Sequence, residues 1–306
     1  MRALVLGGCG FIGSHLVDHL LAAGHKVRVF DRVPESFRQP LPHVEYRLGD
    51  FLDASLLAEA LEGVDVVYHL ISTTVPSTSN LNPVADVQSN LIGTLQLLNL
   101  MVQKQVSKIV FLSSGGTVYG IPESVPIPET HPLRPICSYG VVKVAIENYL
   151  HMFHNLHGLE YVILRASNPY GERQGHAGVQ GVIGTFIKKI ITSEPIVIWG
   201  DGSVVRDFVY VGDLAELCVL AGQTKDVGIF NVGSGVGSSI NGIIDVLASV
   251  TGRPIEPTYR AGRGYDVPCV ILNIESAKSK FNWASNIELY DGLQKTWSWC
   301  CKDKDE

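Results

Sequence analysis

At 306 residues the chain is too long for most single cores and suits two domains, or one large domain with an appended lobe. Hydrophobic residues make up 46% and charged residues 18%, so a sizeable interior can form. The formal charge of −6, with no block of Lys or Arg, argues against nucleic acid as a partner, and no apolar run approaches the ~20 residues of a membrane span.

In chain order, RALVLGG reads as a strand over residues 4–6, with no signal-peptide pattern ahead of it. A helix over 11–23 follows, then strands over 26–30 and 44–48. Residues 56–61 read as a helix, 64–71 as a strand, 84–103 as a long helix and 108–112 as a strand. A second long helix over 137–157 leads to a strand over 161–165. Short apolar strands alternating with amphipathic helices predict a parallel sheet covered on both faces, an α/β fold of the doubly wound Rossmann type. After Arg165 the rhythm changes. Residues 168–184 read as a loop, 185–191 as a helix, 196–199 as a strand, 211–222 as a helix, 229–232 as a strand and 240–251 as a helix. The polar tail CKDKDE reads as a frayed end. None of the six cysteines forms a C-x-x-C pair, and no Cys/His cluster has zinc spacing, so no metal site is expected and a reducing, cytoplasmic setting fits.

The first strand runs into GGCGFIG, with Gly7, Gly10 and Gly13 at G-x-x-G-x-x-G spacing. The first glycine allows a tight turn, the second lets backbone N–H groups approach a pyrophosphate, and the third lets the helix pack on the strand. The second strand ends in VRVFDR, which places Asp31 18 residues past Gly13, where a carboxylate accepts from an adenosine ribose. Such a carboxylate repels a 2′-phosphate, so NAD is expected rather than NADP, although neighbouring Arg32 could attract a phosphate. Capping a turn is the alternative role for Asp31. Asp50, in LGDFLD, could accept from an adenine amino group, with helix capping the alternative for it and for Asp53.

Two further stretches carry hydroxyl chemistry. VFLSSGGTVYG (110–120) reads as a strand end running into a tight polar loop. In SYGVVK (138–143), Tyr139 and Lys143 are four apart and share one helix face. An ammonium beside a phenol favours phenolate, which can take a proton from an alcohol. Alone, Y-x-x-x-K also describes an ordinary solvated helix face.

Together GGCGFIG, Asp31, SSGGTVYG and SYGVVK resemble the extended short-chain dehydrogenase/reductase family, which includes the NAD-dependent nucleotide-sugar epimerases and dehydratases. RASNPYG (165–171), GDGSVVRDFVYVGDLAE (200–216), IFNVGSG (229–235) and GRGYDVP (262–268) continue the resemblance, which runs to residue 285 or so. It implies an NAD-binding domain of residues 1–165 plus roughly 205–235, and a smaller C-terminal nucleotide-sugar-binding lobe of 166–204 and 236–306. It implies Tyr139 as acid/base and Lys143 on the nicotinamide ribose. Gly7, Gly10 and Gly13 would hold the pyrophosphate, with Phe11, Ile12, Leu70 and Ser72 as further cofactor contacts. Asp31 and Arg32 would lie at the ribose, and Asp50 and Phe51 at the adenine. Asn90, in NLIGT, would fix an internal turn or the cofactor. Asn168, Val182, Arg206, Arg263 and Asp266 would bind the nucleotide sugar. Two arginines suit a diphosphate because guanidinium pairs with phosphate bidentately.

Dehydratases of this family carry an Asp-Glu pair three and two residues before the loop tyrosine. Here those positions are Gly116 and Thr117, which disfavours dehydration and points to 4-epimerisation of a UDP-hexose through a 4-keto sugar. A Ser or Thr four residues before that tyrosine bonds the sugar 4-hydroxyl in most such epimerases, and here it is Gly115. Residues two apart in an extended segment point the same way, so Thr117 is the expected substitute and Ser114 the alternative. A small Val270 leaves room for a 2-acetamido group, and Arg173 and His176 could reach a C6 carboxylate. UDP-glucose/UDP-galactose, UDP-GlcNAc/UDP-GalNAc and UDP-glucuronate therefore all stay open. A reductase with net redox and a dinucleotide-sensing regulator are the competing readings. Apolar residues around the two long helices (Leu91, Leu95, Leu98; Val142, Ile146, Tyr149, Phe153) suit a helix-bundle homodimer, or simple packing on the sheet.

Overall fold

A computed structural model describes residues 1–174, 181–262 and 267–302. Arg263, Asp266 and His176 lie outside the described residues. The chain forms two compact units, one of residues 1–120, 132–165 and 215–230, the other of 121–131, 166–214 and 231–306.

The first unit begins with β1 (Arg2–Leu6), α1 (Phe11–Ala22), β2 (Lys26–Asp31), β3 (Val44–Leu48), α2 (Ala54–Ala60) and β4 (Val66–His69). Then come α3 (Pro76–Ser79), α4 (Pro83–Asp86), a π-helical stretch (Val87–Ile92), α5 (Gly93–Gln103), β5 (Lys108–Ser114), α6 (Ser138–His157) and β6 (Glu160–Ala166). With β10 (Gly228–Val232) these strands build a seven-stranded sheet of order β10-β6-β5-β4-β1-β2-β3. β1 runs parallel to both β2 and β4, and the order reverses between them. Such a switch point, at the carboxyl ends of the strands, is where an open α/β sheet takes its ligand.

The strands form because they can be buried on both faces. Ala3, Leu4, Val5 and Leu6 are all 0% exposed, so neither face of β1 meets water. Leu4 and Leu6 pack with Phe30, Val67, Ile109 and Phe111 against Leu57, Leu97, Met101, Ile146 and Leu150 of the helices. Leu98, Val142, Ile146 and Phe153, offered by the sequence for a dimer interface, belong to this core. The helix expected over 84–103 is not uniform, because a π turn over Val87–Ile92 divides it. Single π turns inside helices are frequent at functional sites.

The second unit contains β7 (Asn168–Tyr170), α7 (Val182–Thr192), β8 (Val197–Trp199) and β9 (Val205–Tyr210), then the start of α8 (Val211–Gln223). Beyond β10 it continues with β11 (Gly237–Ser239), α9 (Ile240–Thr251), β12 (Thr258–Arg260), β13 (Cys269–Val270), α10 (Glu275–Phe281) and α11 (Leu289–Lys302). β9 is its organising strand, pairing with β7, β11 and β13. Residues 205–214, expected with the cofactor domain, pack in this unit because β9 pairs there. The expected loop over 168–184 contains β7 and the start of α7. β9, β11, β12, β13, α10 and α11 are elements the periodicity did not reveal. Within β9, Asp207 is 0% exposed and accepts from the N–H and hydroxyl of Ser234, both at 2.8 Å. Among the described residues no helix is long and apolar enough to cross a membrane.

Candidate active site

The glycine turn leaves β1 through Gly7, whose φ of +83° lies in the left-handed region. Its N–H donates to the Phe30 carbonyl at 2.9 Å, and Gly10 N–H donates to the Gly7 carbonyl at 3.2 Å. A Cβ on Gly13 would lie 2.1 Å from the Gly7 oxygen and 2.7 Å from Gly8 Cα, so only glycine lets α1 start against the turn. Gly10 is the N-cap and supplies no side-chain cap, which leaves the first N–H groups of α1 as donors for an anion. Phe11 and Ile12, half-buried, open that helix.

Asp31 ends β2 beside this turn. Its Oδ2 accepts the Cys9 N–H at 3.0 Å and its Oδ1 the Val33 N–H at 3.3 Å, so it both caps a turn and holds the glycine loop. Burial, then the Asp31 charge, pushes the Cys9 thiol up to about 12, which makes it an inert wall. Arg32 is exposed. Asp53 caps α2 through the N–H groups of Ser55 and Leu56, while exposed Asp50 closes a short turn onto Leu52 N–H at 2.8 Å. Phe51 is 6% exposed, and its ring lies tilted 5.2 Å from the His69 ring, within the core. A glycine cradle, a free helix N-terminus and a carboxylate at the end of β2 fit a dinucleotide with an unphosphorylated ribose.

Tyr139 sits in the first turn of α6. The hydroxyls of Ser114, at the end of β5, and Ser72, after β4, act on its phenol and favour its charged form. Lys143 Nζ lies 5.5 Å from the Tyr139 ring and 4.5 Å from the Phe111 ring, and donates to the Leu112 carbonyl at 2.8 Å. Burial pushes Tyr139 up to about 12, with the two serines pulling against it. Burial also lowers Lys143 to about 8, opposed by the carboxylates of Glu147 and Asp86. Burial of the phenol thus works against the phenolate that the sequence leads one to expect.

The two candidate hydroxyls are placed differently. Thr117 Oγ1 turns back onto the Ser114 carbonyl at 3.5 Å, and the N–H groups of Thr117 and Val118 donate to that same carbonyl at 3.2 and 3.1 Å. Residues 115–117 are therefore a turn, where the two-residue alternation of a strand does not apply. β5 runs to Ser114 rather than stopping at Leu112, and the Ser114 hydroxyl is a group that pulls the Tyr139 phenol down. The loop is anchored beyond the turn, where Arg165 Nη1 donates to the Tyr119 hydroxyl at 3.0 Å. Arg165 itself is buried and pairs with Glu147 of α6 at 2.6 Å.

Asn90 fixes an internal turn. Its Oδ1 accepts the Thr73 N–H and its Nδ2 donates to Thr73 Oγ1, each at 2.9 Å. Leu70 N–H donates to the Leu6 carbonyl at 3.1 Å, holding the segment after β4 beside β1. Asp86, which sequence reasoning missed, is 0% exposed and accepts from Thr74, Asn90 and Ser138.

In the second unit Asn168 Nδ2 donates to the Asp207 carbonyl at 2.9 Å. Arg206 Nη1 donates to the carbonyls of Val205 and Val267 at 2.9 and 2.7 Å. Half-buried Val182 opens α7, and Val270 pairs in register with Arg206 while only 3% exposed.

Known proteins match along nearly the whole chain. The profile of the NAD dependent epimerase/dehydratase family matches residues 3–233. A UDP-glucose 4-epimerase of Mycolicibacterium smegmatis is 35% identical, with 97% of each chain covered. A solved UDP-glucose 4-epimerase of Thermotoga maritima, in complex with UDP-glucose, superposes with a TM-score of 0.95 at 35% identity, covering 99% of this chain and 100% of that one. A UDP-N-acetylglucosamine 4-epimerase of Methanobrevibacter ruminantium M1, in complex with UDP-N-acetylmuramic acid, gives 0.92 at 30% identity, covering 99% and 98%.

Proposed function

The chain belongs to the NAD-dependent epimerase/dehydratase family, and from this premise we propose that it interconverts the C4 epimers of a UDP-hexose, with NAD as its cofactor. UDP-glucose and UDP-galactose are the favoured pair. UDP-GlcNAc/UDP-GalNAc and UDP-glucuronate are the other candidates.

The observation that carries this reading is the environment of Tyr139, a single buried phenol set beside a lysine, with two serine hydroxyls that favour its charged form. We assign Tyr139 the proton of the sugar 4-hydroxyl, removed as the 4-keto sugar forms and returned as the alcohol re-forms. Ser114 orients that hydroxyl. Lys143 holds a ribose and adds positive charge that favours the phenolate. Gly7, Gly10 and Gly13 cradle the pyrophosphate, Asp31 the adenosine ribose. Asn168, Val182, Arg206, Arg263 and Asp266 receive the nucleotide diphosphate and sugar. NAD supplies a hydride acceptor and donor at C4 and a cationic ring, with no net redox change. With Gly116 and Thr117 in place of two acids, Tyr139 is the group left to move protons.

The test is the conversion of each UDP-sugar to its 4-epimer by the purified protein. Tyr139→Phe should lower kcat about 100-fold or more while NAD stays bound. Stoichiometric formation or consumption of reduced nicotinamide would overturn the reading in favour of a reductase or dehydrogenase. An unaffected Tyr139→Phe variant would leave a regulator on the same fold.

A homodimer in a reducing, cytoplasmic setting is part of the same proposal. Apolar side chains stay exposed on α4–α5 and α6: Val84 at 66%, Ile92 at 50%, Val141 at 53% and Leu156 at 66%. The six cysteines are free thiols. Light scattering should give twice the chain mass.

A further inference from the structure

Asp86 is a carboxylate with no exposure, at the end of α4 where the helix passes into its π turn. Its Oδ1 accepts from Thr74 Oγ1 at 2.7 Å and from Asn90 Nδ2 at 2.8 Å, and its Oδ2 accepts from Ser138 Oγ at 2.7 Å. Ser138 precedes Tyr139, and its N–H is held by Asn80 Oδ1 at 2.8 Å. Thr74, in turn, offers its carbonyl to the Ser72 hydroxyl at 3.0 Å, and Ser72 favours the charged form of the Tyr139 phenol. Asp86 thus ties the Ser72–Thr74 segment to the start of α6, next to Tyr139. A buried carboxylate with three donors is a strong, rigid tie, since each bond is charge-assisted. The segment that carries Ser72 and the residue that precedes Tyr139 therefore both depend on one buried carboxylate.

We propose that Asp86 is a positioning residue for the 4-epimerase reaction, holding the start of α6 and the Ser72–Thr74 segment so that the Tyr139 phenol stays aimed. This rests on the epimerase reading above. The Asp86 charge has a second effect. It raises both Tyr139 and Lys143, the other charged or titratable groups bearing on this pair being Cys137 on Tyr139 and Glu147 and His69 around Lys143. Removing the charge while keeping the shape should shift both groups to lower pH.

The experiment compares Asp86→Ala and Asp86→Asn with wild type. Asp86→Ala should lower kcat roughly 10- to 100-fold with little change in KM, as a misplaced catalytic group does. Asp86→Asn, which still offers an acceptor and a donor, should retain more of kcat than Asp86→Ala. It should also move the pH profile of kcat towards acid. Tyrosinate absorbance, taken as the difference from a Tyr139→Phe background, should show the same acidward shift without any turnover. Failure of wild-type epimerisation would strike the functional reading, whereas the tyrosinate titration tests Asp86 independently of it. Wild-type activity together with an unmoved phenol midpoint in Asp86→Asn and equal kcat losses in both variants would overturn the proposal and leave Asp86 a fold-stabilising residue.

Discussion

Ser114 and Thr117 make opposite demands on a single experiment. The Ser114 hydroxyl pulls the Tyr139 phenol towards its charged form, which the phenol must adopt to accept a proton. A hydrogen bond to a charged group contributes about 1.5–3 kcal/mol, and each ~1.36 kcal/mol is tenfold in rate. Ser114→Ala should therefore lower kcat roughly 10- to 100-fold. The Thr117 hydroxyl reaches only the Ser114 carbonyl, at 3.5 Å, the limit of a useful bond. Losing it should cost about 0.5 kcal/mol or less, so Thr117→Val should stay within about twofold of wild type. The assay is steady-state epimerisation at saturating UDP-sugar over a pH series. Because Ser114 pulls the phenol down, its removal should also move the acid limb of kcat to higher pH. A tenfold loss in Thr117→Val beside a near-normal Ser114→Ala would refute the reasoning and restore the loop threonine as the working hydroxyl.

Two further outcomes test the frame around that pair. Gly13→Ala drives a methyl into the Gly7 carbonyl at 2.1 Å and should cost about 1–3 kcal/mol of stability and weaken NAD binding, read by thermal melts and NAD titration. Normal NAD affinity in that variant would sink the close-approach argument. His69 is buried against Thr94 and held down at about 3, so the folded ring stays neutral where the unfolded one takes a proton. Stability should be fully present above pH ~6.5 and fall as pH drops towards 3, by several kcal/mol in order of magnitude, and His69→Leu should flatten that fall in urea titrations.

The first unit was legible because its strands are apolar runs and its helices keep a regular stripe, so β1 to β6 fall close to where the pattern put them. The second unit was much less so. β9 reads VRDFVY, and its Arg206 and Asp207 interrupt any apolar run, yet Asp207 is buried because Ser234 and Leu272 supply its donors. Those partners come from far along the chain and leave no local mark. Asp86 was hidden in the same way. A carboxylate on a helix reads as solvated until Thr74, Asn90 and Ser138 are seen to converge on it. The expectation for Thr117 rested on where β5 ends. Extending β5 by two residues changes which hydroxyl the strand carries and turns the following glycines into a reversal rather than a straight run.

Those glycines still separate one chemistry from another, and for a reason that is not steric. A Cβ built on Gly116 would meet nothing within 4 Å, so the loop has room for an acid there. Thr117, next to it, already carries a branched polar side chain of nearly the size of aspartate. Packing therefore does not forbid an acid pair at these positions. A loop that could hold two carboxylates and holds none offers no second proton donor beside Tyr139. Expelling a hydroxyl requires such a donor, and abstracting a carbon-bound proton requires a second base. Moving one proton off an oxygen and back requires only the phenol. The composition of the turn thus supports the proposed reaction, in which Tyr139 works alone and Ser114 and Ser72 favour its charged form.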